Sequence, residues 1–163
     1  MGTVNRKTTS LVRLRDVIKT DLPIFFEQQN DPEANRMTGF PPRKRSDFLA
    51  HWNRLLEKDD IAKQTILYDK DIAGNIVSFE AGGMRQIGYW LGKTFWGKGI
   101  ATDALQLFLK QTNIRPLYAS VISYNSGSIR VLEKCGFRHY KTEILPSSPD
   151  KDREEELTFV LEA

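Results

Sequence analysis

Cysteine and histidine are almost absent from this chain, which holds one cysteine, Cys135, and two histidines, His51 and His139, in 163 residues. A lone cysteine excludes a disulfide framework and a cysteine-built zinc site. Two histidines would need several carboxylates around them to hold a metal, so no metal is expected. Long hydrophobic runs are missing too: no apolar stretch reaches the length of a membrane span. The opening residues, MGTVNRKTTSLVRLR, lack the apolar centre of a signal peptide, which makes a cytoplasmic protein with no membrane partner the expectation. Nor does one sign of charge dominate, since 24 Lys and Arg face 21 Asp and Glu for a net charge of +3. The densest basic cluster, Arg43 to Arg45, is balanced by the acidic run Asp150 to Glu156, and no nucleic-acid partner is expected.

What remains is the composition of an ordinary globular chain, 40% apolar and 28% charged. One domain over residues 1–163 is expected, with 1–9 flexible, and the pattern leaves monomer and homodimer both open. Val12 and Leu14 alternate with polar neighbours in a first strand over 10–15. Asp16 and Thr20 offer caps for a helix through Pro23 and Phe25 to Asn30, which Asp31-Pro32 interrupts. Gly39 and the Pro41-Pro42 pair predict a loop, or a short helix plus loop, over 35–45. Ser46 then caps a helix whose apolar positions Phe48, Leu49, Trp52, Leu55 and Leu56 follow helical spacing.

From Gln64 the period becomes that of strands: 65–68, 72–79 and 85–92, with turns between them. Gly88 inside the third reads as a bulge or a close approach by another backbone. A helix over 101–113, a buried strand at 117–122, a helix at 126–134 entered through Asn125, a strand from Phe137 and a last strand at 156–161 after the turn Ser147 to Asp150 complete the chain. The order implies an α/β (α+β) fold with a mixed sheet and helices on both faces.

At the middle of that order stands Phe95 to Thr102, FWGKGIAT: a strand, a glycine loop and a helix in succession. Such a loop turns several backbone N–H groups to one point at the positive end of a helix, and that combination binds phosphate. A Walker-type nucleotide loop is a poor match, because the glycine spacing differs and no Ser or Thr follows Gly97-Lys98.

Trp96-Gly97-Lys98-Gly99-Ile100-Ala101 resembles the acyl-CoA loop of the GNAT N-acetyltransferases, with Trp96 where that pattern has a basic or amide residue. The sequence Gly88-Tyr89-Trp90-Leu91 before it, and Ala101-Thr102 within it, resemble the branch that holds the ribosomal-protein N-terminal acetyltransferases. A second stretch, Asn125, Ser128, Val131 to Lys134 and Gly136-Phe137, is similar to the Asn-x-x-Ser and Leu-Glu-Lys-x-Gly-Phe signature of the same branch. The specific motifs fall within 84–137.

The resemblance implies the acyl-CoA N-acyltransferase fold, with a mostly antiparallel sheet of six or seven strands and a splayed strand pair, 88–92 and 117–122, that takes the pantetheine arm. It implies acetyl-CoA as donor and a primary amine as acceptor, either a protein N-terminus or a small amine, with direct attack in a ternary complex. A CoA-binding module without turnover is the rival. The implied cofactor contacts are Trp90, Leu91, Gly92, Trp96, Gly97, Lys98, Gly99, Ile100, Ala101, Thr102, Asn125 and Ser128. A backbone N–H near Trp90 or Leu91 would polarise the thioester carbonyl.

Many family members place a tyrosine acid at the position of Leu132, which leaves Ser128 as the candidate proton donor. Gln86 stands where the branch often has a glutamate, and Glu80 is the nearby alternative base. Phe40, Trp52 and Gln86 are the candidate acceptor contacts. Locally adequate roles exist beside these: Asn125 as a helix cap, Trp90 and Trp96 as core, Phe40 as packing, and Cys135 as a small buried apolar residue.

Overall fold

A computed structural model describes residues 11–146 and 154–163. The residues expected to be flexible, 1–9, and the turn at 147–150 lie outside the described residues. Strands β1 (Val12–Asp16), β2 (Ala62–Tyr68), β3 (Asp71–Ala81), β4 (Met84–Leu91), β5 (Leu117–Ile122), β6 (Arg138–Ile144) and β7 (Glu155–Leu161) form one sheet in the order β1-β2-β3-β4-β5-β7-β6. Every pairing is antiparallel except β4 with β5, which run parallel and touch at a single register pair, Gln86 with Tyr118. The expected splay is therefore present, and it divides the sheet into β1 to β4 on one side and β5 to β7 on the other.

Helices α1 (Leu22–Gln29), α2 (Pro32–Thr38), α3 (Arg45–Leu56), α4 (Ile100–Gln111) and α5 (Ser126–Lys134) cover the two faces. Strand alternation explains how both are filled. Ile76 and Ile87 join Ile100, Leu105, Phe108 and Leu132 in the core under α4 and α5. On the other face Val77 packs on Leu22, Phe25, Phe48 and Trp52 of α1 and α3, with the Phe25 and Trp52 rings 5.1 Å apart. Each such fully buried side chain contributes roughly 1.5–3 kcal/mol.

Three local readings are corrected. Asp31-Pro32 starts a helix as well as ending one: Asp31 Oδ1 accepts from Ala34 N at 2.9 Å, proline fits the first turn of α2, and Gly39 at φ +76° closes it. Ser46 sits inside the first turn of α3, whose N-cap is Lys44. Asp16 and Thr20 cap nothing, because a 3-10 turn over Lys19–Asp21 comes first. The pivot there is Asp21, 1% exposed, whose carboxylate accepts from both Arg15 Nη atoms at 2.7 and 2.8 Å, Thr65 Oγ1 at 2.6 Å and Ile18 N at 3.1 Å. Burial alone would push this carboxyl up, but those partners outweigh it and hold it below the ordinary range. The same four bonds pin β1 and the start of α1 to β2.

Gly88 is not the point of close approach. A Cβ there would find only Val77 Cγ2, at 3.9 Å, an ordinary contact. Gly74 is that point, because a Cβ there would collide with the Trp90 carbonyl oxygen. The β3–β4 register runs unbroken past both residues, and the ladder shift in this region falls between β2 and β3 at Ile66 and Leu67. The Trp90 carbonyl thus lies against Gly74, where only the absence of a Cβ leaves it room.

Candidate active site at the strand gap

Below the pair Gln86–Tyr118 the parallel strands part, and a cavity opens on each side of the gap. The smaller, about 550 Å³, lies against the glycine loop, α4 and α5, and the larger, about 630 Å³, lies against α3 and the start of β7. Thr38, Tyr89, Trp90, Asn125 and Ser128 line both, so the two spaces meet at the end of β4.

The loop explains its own shape. Gly97 and Gly99 both have φ +75°, a conformation that costs an L-residue with a side chain about 1–2 kcal/mol, and nothing lies within 4 Å of a Cβ built on either. Gly99 is the N-cap of α4 and no side chain caps that helix, so the orphan N–H groups of its first turn stay available to the cavity. Gly97, Gly99, Ile100, Ala101 and Thr102 line the smaller cavity together with Leu91 and Trp96. Trp96 Nε1 donates to the Leu91 carbonyl at 3.1 Å, tying the loop to the end of β4. Two expected contacts are not brought in: neither Lys98 nor Gly92 lines the cavity. Gly92 serves packing, since a Cβ there would sit 3.0 Å from Gln28 Cγ.

The second stretch approaches from α5. Asn125 Oδ1 accepts from Ser128 N at 3.2 Å, so Asn125 caps the helix and lines both cavities at once. Ser128 Oγ lies 2.7 Å from Tyr89 Oη, a pairing the sequence reading missed because Tyr89 sits in an apolar strand pattern. Burial pushes the Tyr89 phenol up to about 12 against the opposing effect of the Ser128 bond, so it stays protonated. Leu132 is 1% exposed and belongs to the core. Burial, with Asp103 nearby, pushes the Cys135 thiol up to about 11, which fits an inert half-buried residue with its Sγ 3.7 Å from the Thr102 carbonyl.

Phe40, Trp52 and Gln86 all line the larger cavity. Phe40 stands edge-on to Trp90, with ring centroids 6.2 Å apart, while Trp52 is a core residue with one edge at the wall. Trp90 Nε1 donates to the Gln28 carbonyl at 3.2 Å, which fixes the ring between the cavities. Glu80 is not in this wall. Alternation along β3 sends its side chain to the opposite face from Val77 and Phe79, and it lies exposed, 3.9 Å from Arg85 Nη1. His51, Arg43, Asn75, Glu154 and Glu156 are lining residues that no motif announced. Burial, then the charges of Arg43, Arg54 and Lys58, push the His51 imidazole below its ordinary value. Among the described residues no group of three or more His, Cys, Asp or Glu is placed to hold a metal, and no helix is long and apolar enough to cross a membrane.

Comparison with known proteins agrees with this geometry. Residues 12–138 match the family described as acetyltransferase (GNAT) domain. A relative in Bacillus subtilis (strain 168), named "Probable N-acetyltransferase YjcK", is 31% identical over 127 residues, covering 69% of this chain and 67% of its own. Among solved structures, spermidine N-acetyltransferase from Vibrio cholerae, in complex with CoA and spermine, has a TM-score of 0.81 at 15% identity and covers 93% of this chain and 95% of its own. RimL, a ribosomal alpha-N-protein acetyltransferase in complex with coenzyme A, has a TM-score of 0.76 at 18% identity over 94% of both chains. At those identities the structures speak for the fold, and the family match carries the class: the chain belongs to the GNAT acetyltransferase family.

Proposed function

We propose that this acetyltransferase moves the acetyl group of acetyl-CoA to a primary amine by direct attack in a ternary complex. The observation that carries the reading is the meeting of two cavities at the β4–β5 gap, one lined by a glycine loop and an uncapped helix start, the other by side chains. In this reading the pyrophosphate rests on the N–H groups from Gly97 to Thr102, where no Cβ of Gly97 or Gly99 keeps its oxygens away. The pantetheine arm pairs with strand edges that the splay leaves open. A main-chain N–H near Trp90 or Leu91 receives the thioester oxygen.

The amine nitrogen attacks the thioester carbon from the larger cavity, the C–S bond breaks, and the amine gives up its proton to water. The thiolate takes a proton from Ser128 Oγ as Ser128 takes one from Tyr89 Oη at 2.7 Å, and the proton that the amine gave to water returns to Tyr89 through solvent, so both hydroxyls end the cycle neutral. That pair supplies the acid Leu132 lacks, and it favours turnover over a silent CoA-binding module. An α-amine, with an ordinary pKa of about 7.7–8.0, reaches the neutral form near physiological pH far more readily than a lysine amine at about 10.4.

The test follows free thiol after acetyl-CoA meets a panel of amines and peptides. Amine-dependent thiol release is expected. Tight acetyl-CoA binding with no release for any acceptor would favour the binding module, and no binding at all would overturn the donor assignment.

A further inference from the structure

Resting on the reading of the larger cavity as the acceptor side, we propose that the acceptor is an amine carrying its own anionic group, a carboxylate or a phosphate, which Arg43 binds. The two sides of the gap differ in charge. The segment before α3 and α3 itself contribute Arg43 and His51, and the other side, beyond β5, contributes Glu154, just before β7, and Glu156 at its start.

Arg43 makes no hydrogen bond or ion pair among the described residues, so its guanidinium is not consumed by the fold. A guanidinium offers a planar fork that matches carboxylate and phosphate. His51 responds to the charge on that side, with Arg43 the largest charge acting on it after burial. Beyond burial, the charges that hold a proton off its ring are Arg43, Arg54 and Lys58, all cationic, and neither Glu154 nor Glu156 relieves them. The cationic charges that act on that ring, Arg43 first among them, also disfavour the second ammonium of a polyamine and favour an anion.

The opposite side reverses the preference. Glu154, which accepts from Tyr124 Oη at 3.4 Å, and Glu156 attract the ammonium end of an incoming ligand. A molecule with one charge of each sign satisfies both sides, whereas a diamine satisfies one and is repelled by the other. Specificity of this kind is built as much by the repulsive wall as by the attractive one.

The test compares three probes on the CoA-loaded and acetyl-CoA-loaded protein: putrescine, 4-aminobutyrate of matching length, and O-phosphoethanolamine. One of the two anionic amines is expected to exceed putrescine in kcat/KM by about tenfold or more, the value of one charge-assisted contact, and which one it is separates carboxylate from phosphate. Arg43→Gln should remove that advantage through KM, and Arg43→Lys should keep part of it. In parallel, the His51 ring followed by NMR titration should show a raised pKa when the favoured anionic amine binds and no rise with putrescine.

Preference for putrescine, an equal loss for all three probes in Arg43→Gln, or a His51 ring indifferent to both anionic amines overturns the proposal. A His51 rise with 4-aminobutyrate or O-phosphoethanolamine but no acetylated product would uphold the anion site and sink the transfer reading instead.

Discussion

The smaller cavity is built around main-chain features, two glycines at positive φ, the first turn of an uncapped helix and the end of β4, with Phe95, Trp96, Arg130 and Lys134 also in its lining. The larger cavity is faced by side chains drawn from α3, the loop before it, β3, β4, β5 and the start of β7. A backbone site demands particular residues at fixed spacing, because only glycine takes that φ without strain and only a helix start presents parallel N–H groups. A side-chain site demands none, since any fold position that reaches the wall can change while the scaffold stays. In the proposed reading the donor is held by backbone features of the loop, and acceptor choice is set by residues the fold does not dictate.

Substitutions that act on one cavity and spare the other sharpen this contrast. The largest effect is expected from Gly99→Glu, which places a side chain and a negative charge on the phosphate loop. CoA affinity measured by calorimetry should fall beyond about 100-fold, more than the 1–2 kcal/mol of backbone strain alone. Retained affinity would move the pyrophosphate elsewhere.

Next come the residues where the cavities meet. Tyr89→Phe and Ser128→Ala should each lower kcat, by up to about 100-fold, the low end of general-acid effects because a thiolate leaves readily. CoA affinity should stay within about twofold in both. Because burial holds the Tyr89 phenol near about 12, ionisation of this group contributes no alkaline limb to kcat below about pH 11. A limb lost on Tyr89→Phe would contradict that assignment.

Gly74→Ala tests the support behind both cavities. The new methyl meets the Trp90 carbonyl, so a stability loss of about 1–3 kcal/mol in chemical denaturation is expected, with a shift in tryptophan fluorescence. The smallest effect belongs to Glu80→Gln, whose carboxylate faces Arg85 outside the wall. Activity should change by less than about twofold, and a larger fall would restore Glu80 as a candidate base.

Legibility in the sequence followed the same division. Gly97, Gly99 and the Asn125 cap were readable because each solves a backbone problem with a restricted set of residues. The mixed sheet and the two-faced helices followed from period and order, and the splay from the family resemblance that the motifs carry. The Tyr89–Ser128 contact was hidden because it joins residues 39 apart, and alternation alone does not say which cross-sheet neighbour a strand tyrosine meets. Glu80 was misjudged for a related reason: one step along β3 exchanges the two faces. Gly88 drew attention as the glycine inside the motif strand, while the glycine that makes room for Trp90 lies on the neighbouring strand. Arg43, His51 and Glu154 share a cavity without sharing a pattern.

The most direct test is backbone amide NMR of the protein titrated with CoA. The account predicts the largest shifts at Gly97, Gly99, Ala101, Thr102 and Ser128, and little change at Arg43, His51 and Gln86. Large shifts confined to the second group, with the glycine loop unmoved, would contradict it.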